Sequence, residues 1–145
     1  MRTKGANGVG RFSIQFEVAN DKDLLRAEEG LIPPEQVGRM TIVGVVDSGA
    51  AGLVLPQSVV KRLGLVSIGK VKVRYPDRRT AKRDEVDHVM LEILVRQGTF
   101  KAAVEPQRDT ALVGAMVLED LDLLADSRNE RLIPRDPRIK TYEME

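Results

Sequence analysis

Apolar and polar positions alternate along much of the chain, and a period of two predicts strands. Arg11 to Val18 puts Phe12, Ile14, Phe16 and Val18 on one face, the pattern of a half-buried strand. Arg39 to Val46 predicts a second strand, Val86 to Val95 and Thr99 to Val104 two more, and Ala111 to Val113 a short buried run. Lys70 to Tyr75 alternates cleanly, with Val71, Val73 and Tyr75 on one side and Lys70, Lys72 and Arg74 on the other. Pro76-Asp77 is a type I turn signal, which makes Val71 to Val89 a long hairpin with its tip at Tyr75 to Thr80. Pro106 to Asp109 reads as another turn, and Leu123 to Ala125 with Arg131 to Ile133 as a final hairpin around Ser127 to Glu130. Helical signals are fewer. Pro56 suits a first helical position and Gly64 a helix end, which predicts a helix over Pro56 to Leu63, and Ala115 to Leu121 predicts a second. Asn20 to Gly38 reads as a long polar loop with a weak helical signal at Leu24 to Glu29. The expectation is one mostly β domain over residues 11–134, a closed barrel with one or two short helices, flanked by a flexible 1–10 segment and a charged 135–145 tail.

Composition narrows the classes. With 145 residues, 42% of them hydrophobic, the chain can bury one modest core. Aromatic residues make up 3% and Trp is absent, so that core has to come from Val, Leu and Ile, which suit closely packed strands. A formal charge of +1 argues against a dedicated nucleic-acid binder. Without cysteine there is no disulfide or thiol chemistry, which fits a reducing cytoplasm. Residues 1–10 are basic and Gly-rich and lack the apolar segment of a secretory signal. No run approaches the ~20 apolar residues of a membrane-spanning helix. A soluble cytoplasmic protein with no cofactor, no nucleic-acid partner and no membrane partner is expected.

The chemistry concentrates at Ile42 to Pro56, IVGVVDSGAAGLVLP. Ile42, Val43, Val45 and Val46 run into Asp47, so a carboxylate stands at the tip of a buried strand. Gly49 then allows a tight turn with its backbone open to a ligand, and Leu53-Val54-Leu55 returns to a core. An acid between two apolar runs is costly unless it is hydrogen-bonded or has a function. Asp47 is either a turn former capping its own backbone or a working acid. Further along, Ala111-Leu112-Val113-Gly114 is a second apolar segment ending in glycine, and it opens the helical pattern of Ala115 to Leu121.

These two segments together resemble the single-domain aspartic proteases, the retroviral type and its cellular and bacterial relatives. In that family an apolar strand ends in Asp-Thr/Ser-Gly-Ala, and an apolar-apolar-Gly segment before a helix packs against it. The resemblance extends over Phe12 to Pro134. It is nearest to small bacterial members in LVLPQSVVKRLGL, VKVRYPDRRTAKRD and ALVGAMVLEDLDLLADSRNERLIP. It implies a retropepsin-like barrel, with Asp47 as the catalytic acid, Ser48, Gly49 and Ala50 as the active-site loop, and Leu112, Val113 and Gly114 as its support. It also implies that Tyr75, Pro76, Asp77, Arg78, Arg79 and Thr80 form the tip of a flap, here without the glycines of retroviral flaps. Ser48 would hydrogen-bond across a two-fold axis, and the Gly49 carbonyl would receive an extended substrate.

Aspartic hydrolysis of a peptide requires two carboxylates that share one proton and hold a water. Two charges about 3 Å apart repel by roughly 5 kcal/mol at an effective dielectric of 20, so one acid stays protonated while the other ionises. The ionised acid takes a proton from the water and the protonated one donates to the scissile carbonyl. Asp-Ser/Thr-Gly occurs once in the chain, since Asp126-Ser127 is followed by Arg128. The second acid then has to come from another copy, which implies an isologous homodimer with Asp47 opposite Asp47. The partners expected are therefore a second copy of the chain and a peptide or unfolded protein substrate.

Two other readings stay open: a non-catalytic dimeric binding or assembly module on the same fold, and a small basic barrel that binds nucleic acid. Lys70, Lys72, Arg74, Arg78, Arg79, Lys82 and Arg83 form a dense basic run, but Tyr75 is the lone aromatic among them available for base stacking. A solvated hairpin face accounts for the run. His88 is the one histidine and there is no cysteine, so no metal cluster is expected. Ser48, Ser58 and Ser67 lack a histidine partner of the kind a nucleophilic triad needs. Glu119, Asp120 and Asp122 read as a solvated helix face.

Overall fold

The computed structural model describes residues 11–144, so the 1–10 segment expected to be flexible, and Glu145, lie outside the described residues. The described residues form nine strands: β1 (Arg11–Asn20), β2 (Arg39–Asp47), β3 (Leu53–Pro56), β4 (Ser67–Arg74), β5 (Thr80–Ile93), β6 (Arg96–Glu105), β7 (Ala111–Val113), β8 (Leu123–Asp126) and β9 (Arg131–Pro134). Three short helices join them: α1 (Asp21–Glu28), α2 (Gln57–Leu63) and α3 (Ala115–Leu121). The first seven strands form one sheet in the order β1-β2-β7-β3-β6-β5-β4, and an additional β1–β5 pairing closes six of them into a barrel. β4 remains outside on the edge, and β8 and β9 form a separate hairpin. The protein is mostly β with a closed barrel, as the alternation predicts.

Inward positions of the strands fill the barrel with aliphatic side chains. Val18, Val46, Leu55, Val89, Leu91 and Val113 are fully buried, as is Leu121 of α3, and Phe12 and Phe16 lie among them. Burying one such Leu or Val contributes about 1.5–3 kcal/mol. Gly44 makes room for the larger of these groups: a Cβ there would stand 2.6 Å from the Phe16 ring, which lies across β2. β2 is half-buried rather than buried throughout, since Ile42, Gly44 and Val46 point inward while Val43 is exposed and Val45 partly so. Asp47 continues the outward row.

β5 changes partners along its length. Its first half pairs with β4, with Glu85 and Val86 alone also meeting β6, and its second half pairs with β1 and β6. A register shift between Val86 and Val89 marks the change, with His88 at a φ of 62° and its N–H donating to Asp87 Oδ1 at 2.6 Å. An extra residue of this kind bends a strand, and the β4–β5 hairpin lies on the far side of that bend. The hairpin turns between Arg74 and Thr80 as expected, but strand structure on its second arm begins at Thr80 rather than Val86.

Several boundaries differ from the sequence expectation. The polar stretch after β1 begins with a helix from Asp21, not Leu24, because Asn20 caps it. Asn20 Oδ1 accepts from the N–H groups of Lys22 and Asp23, while its Nδ2 donates to the Leu63 carbonyl at 3.0 Å. Pro56 ends β3 and precedes α2 instead of opening it. Leu94 and Val95, expected as strand, form the two-residue β5–β6 turn with φ of 52° and 66°. Both lie in a backbone region that side chains with a Cβ rarely occupy.

Asp122 is not on a solvated face. It is 6% exposed and sits in the left-handed region that ends α3, while Glu119 and Asp120 are exposed. Arg135 Nε lies 2.7 Å and Arg96 Nη1 3.6 Å from its carboxylate, and Thr141 N–H donates to Oδ2 at 2.9 Å. The segment after β9 has no regular structure but is tied back to the body through this acid. Among the described residues no helix is long and apolar enough to cross a membrane. None of their His, Asp and Glu side chains form a group of three or more able to hold a metal ion.

Candidate active site

Asp47 ends β2 at the rim of the barrel. The β2 strand runs parallel to β7, pairing Val45 with Leu112 and Val46 with Val113, and β7 runs antiparallel to β3, pairing Leu53 with Val113. β7 thus lies between the two strands joined by the 48–52 loop, and the loop must pass over its end. Leu112 and Val113 hold this position by pairing on both sides.

Beyond β7 the chain turns into α3, and the first amides of that helix point at the loop. Gly114 N–H donates to the Gly52 carbonyl at 3.0 Å, Ala115 N–H to Ala50 at 2.8 Å and Met116 N–H to Ala51 at 2.9 Å. The loop carbonyls thereby satisfy donors that a helix start would otherwise leave unpaired. This close approach requires glycine at position 114. A Cβ there would stand 2.6 Å from the Gly52 oxygen and 2.7 Å from both the Ala50 oxygen and the Ala51 carbonyl carbon.

The Asp47 carboxylate is engaged at both oxygens. Oδ1 accepts from Gly49 N–H at 2.9 Å, and Ala50 N–H donates to the Asp47 carbonyl at 3.1 Å, so the turn is capped by its own aspartate. Oδ2 is 3.1 Å from Arg11 Nη2, and the Asp47 side chain is 15% exposed. Ser48 and Gly49 are exposed and Ala50 partly so. Beside the acid, Val45, Leu112 and Val54 form a row of registered apolar positions that are each only partly buried.

The hairpin tip has its own cluster. Tyr75 carbonyl accepts from Arg78 N–H at 2.9 Å across Pro76 and Asp77, and Tyr75 N–H donates to the Arg79 carbonyl at 2.9 Å. Arg78 takes a φ of 73° where a glycine would ordinarily sit. Arg79 is committed locally: its Nε is 2.6 Å from Asp77 Oδ2 and its guanidinium lies 4.9 Å over the Tyr75 ring. These contacts hold the Asp77 carboxyl below the usual carboxylate range. At the base, Tyr75 Oη and Arg83 Nε both donate to Glu105, a buried acid at the end of β6. The hydrogen bond to Glu105 raises the Tyr75 hydroxyl above its ordinary value, with burial adding to the effect. One buried carboxylate therefore ties both arms of the hairpin to the barrel.

The structure brings Asp47, Ser48, Gly49, Ala50 and Gly114 together in one unit with Leu112 and Val113 beneath. No hydrogen bond or ion pair among the described residues joins Tyr75, Pro76, Asp77, Arg78, Arg79 or Thr80 to that unit. Arg11 and Glu105 were not expected at either cluster. Arg11 meets Asp47 only because the antiparallel β1–β2 register sets the two opposite one another. Glu105 follows a run of strand residues, and its one signal is an acid placed where the strand is otherwise apolar.

No family model and no curated protein matches the sequence. Similar solved structures include the foamy viral protease-reverse transcriptase in complex with an RNA/DNA hybrid, at 15% identity and a TM-score of 0.47, covering 72% of this chain and 11% of that one. Another is the EIAV protease complexed with the inhibitor HBY-793, at 18% identity and a TM-score of 0.46, covering 56% of this chain and 77% of that one. The chain spans about a tenth of the length of the first. Identities of this order carry no function from those proteins to this one, and the site itself has to supply it. The barrel closes with β7 inserted between the strands that flank Asp47, the mostly β closed barrel that the sequence predicts.

Proposed function

We propose that the chain is an aspartic endopeptidase that works as a two-fold homodimer. The observation that carries this reading is the construction of the Asp47 loop. Three of its carbonyls are consumed by the first amides of α3, a glycine without room for a Cβ locks the contact, and the carboxylate is left at the rim. A turn that needed only a cap would not need this support.

One chain supplies one such carboxylate, so a competent site pairs Asp47 with Asp47 of a second copy across the axis. The partly exposed row of Val45, Leu112 and Val54 gives that approach an apolar component. Ser48 would then bond across the axis and the exposed Gly49 backbone would receive an extended peptide as an added strand. The ionised acid takes a proton from the bound water, the hydroxide attacks the scissile carbonyl, and the protonated acid donates to its oxygen. As the C–N bond breaks, the acid that took the water's proton gives it to the amine nitrogen and the other carboxylate takes a proton back from the gem-diol, which restores the dyad. The Tyr75–Arg79 hairpin, pinned at Glu105, is the element suited to cover bound peptide and exclude water.

The ion pair between Arg11 and Asp47 favours a second reading, a dimeric binding module whose acid is purely structural. Cleavage of an unfolded protein substrate by the wild type and by Asp47→Asn separates the two. Hydrolysis that disappears with the carboxylate, in a variant that stays folded, supports the peptidase, whereas equal residual cleavage by both overturns it.

A further inference from the structure

We propose that Arg11 is a lock on Asp47, closed in the single chain and opened by the arrival of the second copy. The inference rests on the Asp47 dyad. Arg11 opens β1 directly opposite Asp47, and its Nη2 lies 3.1 Å from Oδ2. Gly49 N–H holds Oδ1 at 2.9 Å, so each oxygen already has a donor. The other elements around the acid, β7 and the 48–52 loop, carry no ionisable side chain, which leaves Arg11 as the charge that faces it among the described residues.

A dyad needs one proton for two carboxylates. A guanidinium on Oδ2 of each Asp47 occupies the oxygen through which that proton would be shared. The paired form is therefore incompetent, and Oδ2 must be released before it can share a proton or hold a water. Two such pairs break for every dimer formed, so the lock also opposes association. The single chain is kept inactive by one of its own side chains, and activity is tied to the concentration at which copies meet. Arg11 is 38% exposed and can swing into solvent as the lock opens.

The test compares Arg11→Met, which keeps much of the aliphatic stem, with Arg11→Lys, which keeps a charge. Dimer dissociation constants come from sedimentation equilibrium, and kcat/KM on an unfolded protein substrate is measured from about pH 4 to pH 8. Circular dichroism melts check that each variant folds. With two exposed pairs each worth a few-fold, Arg11→Met should dimerise about tenfold more tightly and cleave faster at equal chain concentration than the wild type, with Arg11→Lys nearer the wild type. In an Asp47→Asn background the same change should move the dissociation constant little, because the amide carries no charge for the guanidinium to pair with. An unchanged constant in Arg11→Met, equal tightening in the Asp47→Asn background, or loss of cleavage by a normal dimer each overturns the lock. Dimers that never cleave at any pH count against the peptidase alone, and the lock is then judged on the dissociation constants. Monomers in every variant overturn both.

Discussion

Replacing Gly114 by Ala tests whether the Asp47 loop and α3 form one rigid unit. The backbone itself tolerates alanine, since its φ is −92°. The obstacle is contact. A Cβ would stand 2.7 Å from the Ala50 oxygen where ordinary contact begins at 3.4 Å, so the loop has to retreat by the difference, 0.7 Å. Every atom it meets is backbone, and no side-chain rotation relieves the clash. The three bonds that join loop and helix, now 2.8–3.0 Å, would lengthen to about 3.5 Å or more and cease to count as hydrogen bonds. At about 1 kcal/mol each, their loss costs about 2–4 kcal/mol. Urea unfolding followed by circular dichroism reads this as a lower midpoint at unchanged slope. Cleavage should fall by at least about tenfold in the protein that remains folded, because displacement of a reacting group by a fraction of an ångström is expensive. A stability change below about 0.5 kcal/mol with normal cleavage would refute the reasoning, since the loop would then be free to move without consequence.

Other outcomes follow from single contacts. Tyr75→Phe should cost about 1 kcal/mol at neutral pH by leaving Glu105 with one donor fewer. Because the folded-state Tyr75 hydroxyl titrates above its ordinary value near 10, that contribution is present below pH 10 and lost as pH rises through the raised value. Urea midpoints of wild type and variant should therefore converge above that value, and a gap independent of pH would contradict the assignment. Changing Leu94-Val95 to Asn-Gly should stabilise the protein by about 1 kcal/mol, since both positions have positive φ and Val95 is 87% exposed. A lower thermal midpoint would show that these side chains have an unrecognised partner. Reversing Arg74 and Arg78 to Glu should reduce a preference for acidic peptides by less than about tenfold and only at low salt. Arg79→Glu should matter less for recognition, as Arg79 is already paired with Asp77. A peptide-library profile indifferent to all three would reduce the basic run to a solvated face.

Much of the barrel was legible because each strand carries its own alternation. Phe12, Phe16 and Val18 are buried as their spacing requires, and Gly114 sits where an apolar run had to end. Local signals failed where tertiary pairing decides. Leu94-Val95 looks like strand because both residues are apolar, yet the β5–β6 register places the turn on them. Asp122 looks solvated beside Glu119 and Asp120, but the left-handed end of α3 turns it toward Arg96 and Arg135, which come from elements distant in sequence. The same limit applies at the candidate site. Asp47 and its loop could be found from Asp-Ser-Gly-Ala and the downstream Leu-Val-Gly, whereas the Arg11 that faces it becomes visible only when β1 is laid antiparallel to β2.

The most direct test of the central claim is a mixing titration. Wild-type chain, at a concentration where it is dimeric, is equilibrated with increasing Asp47→Asn chain and the cleavage rate of an unfolded protein substrate is followed. If each site is built from one Asp47 of each copy, mixed dimers are inactive. Cleavage per wild-type chain should then fall to about one half at equal amounts and to about one quarter at threefold excess of the variant, as random pairing requires. A rate that stays proportional to the wild-type chain alone, whatever the excess, would mean that a single Asp47 suffices or that the activity resides elsewhere, and the shared dyad would be wrong.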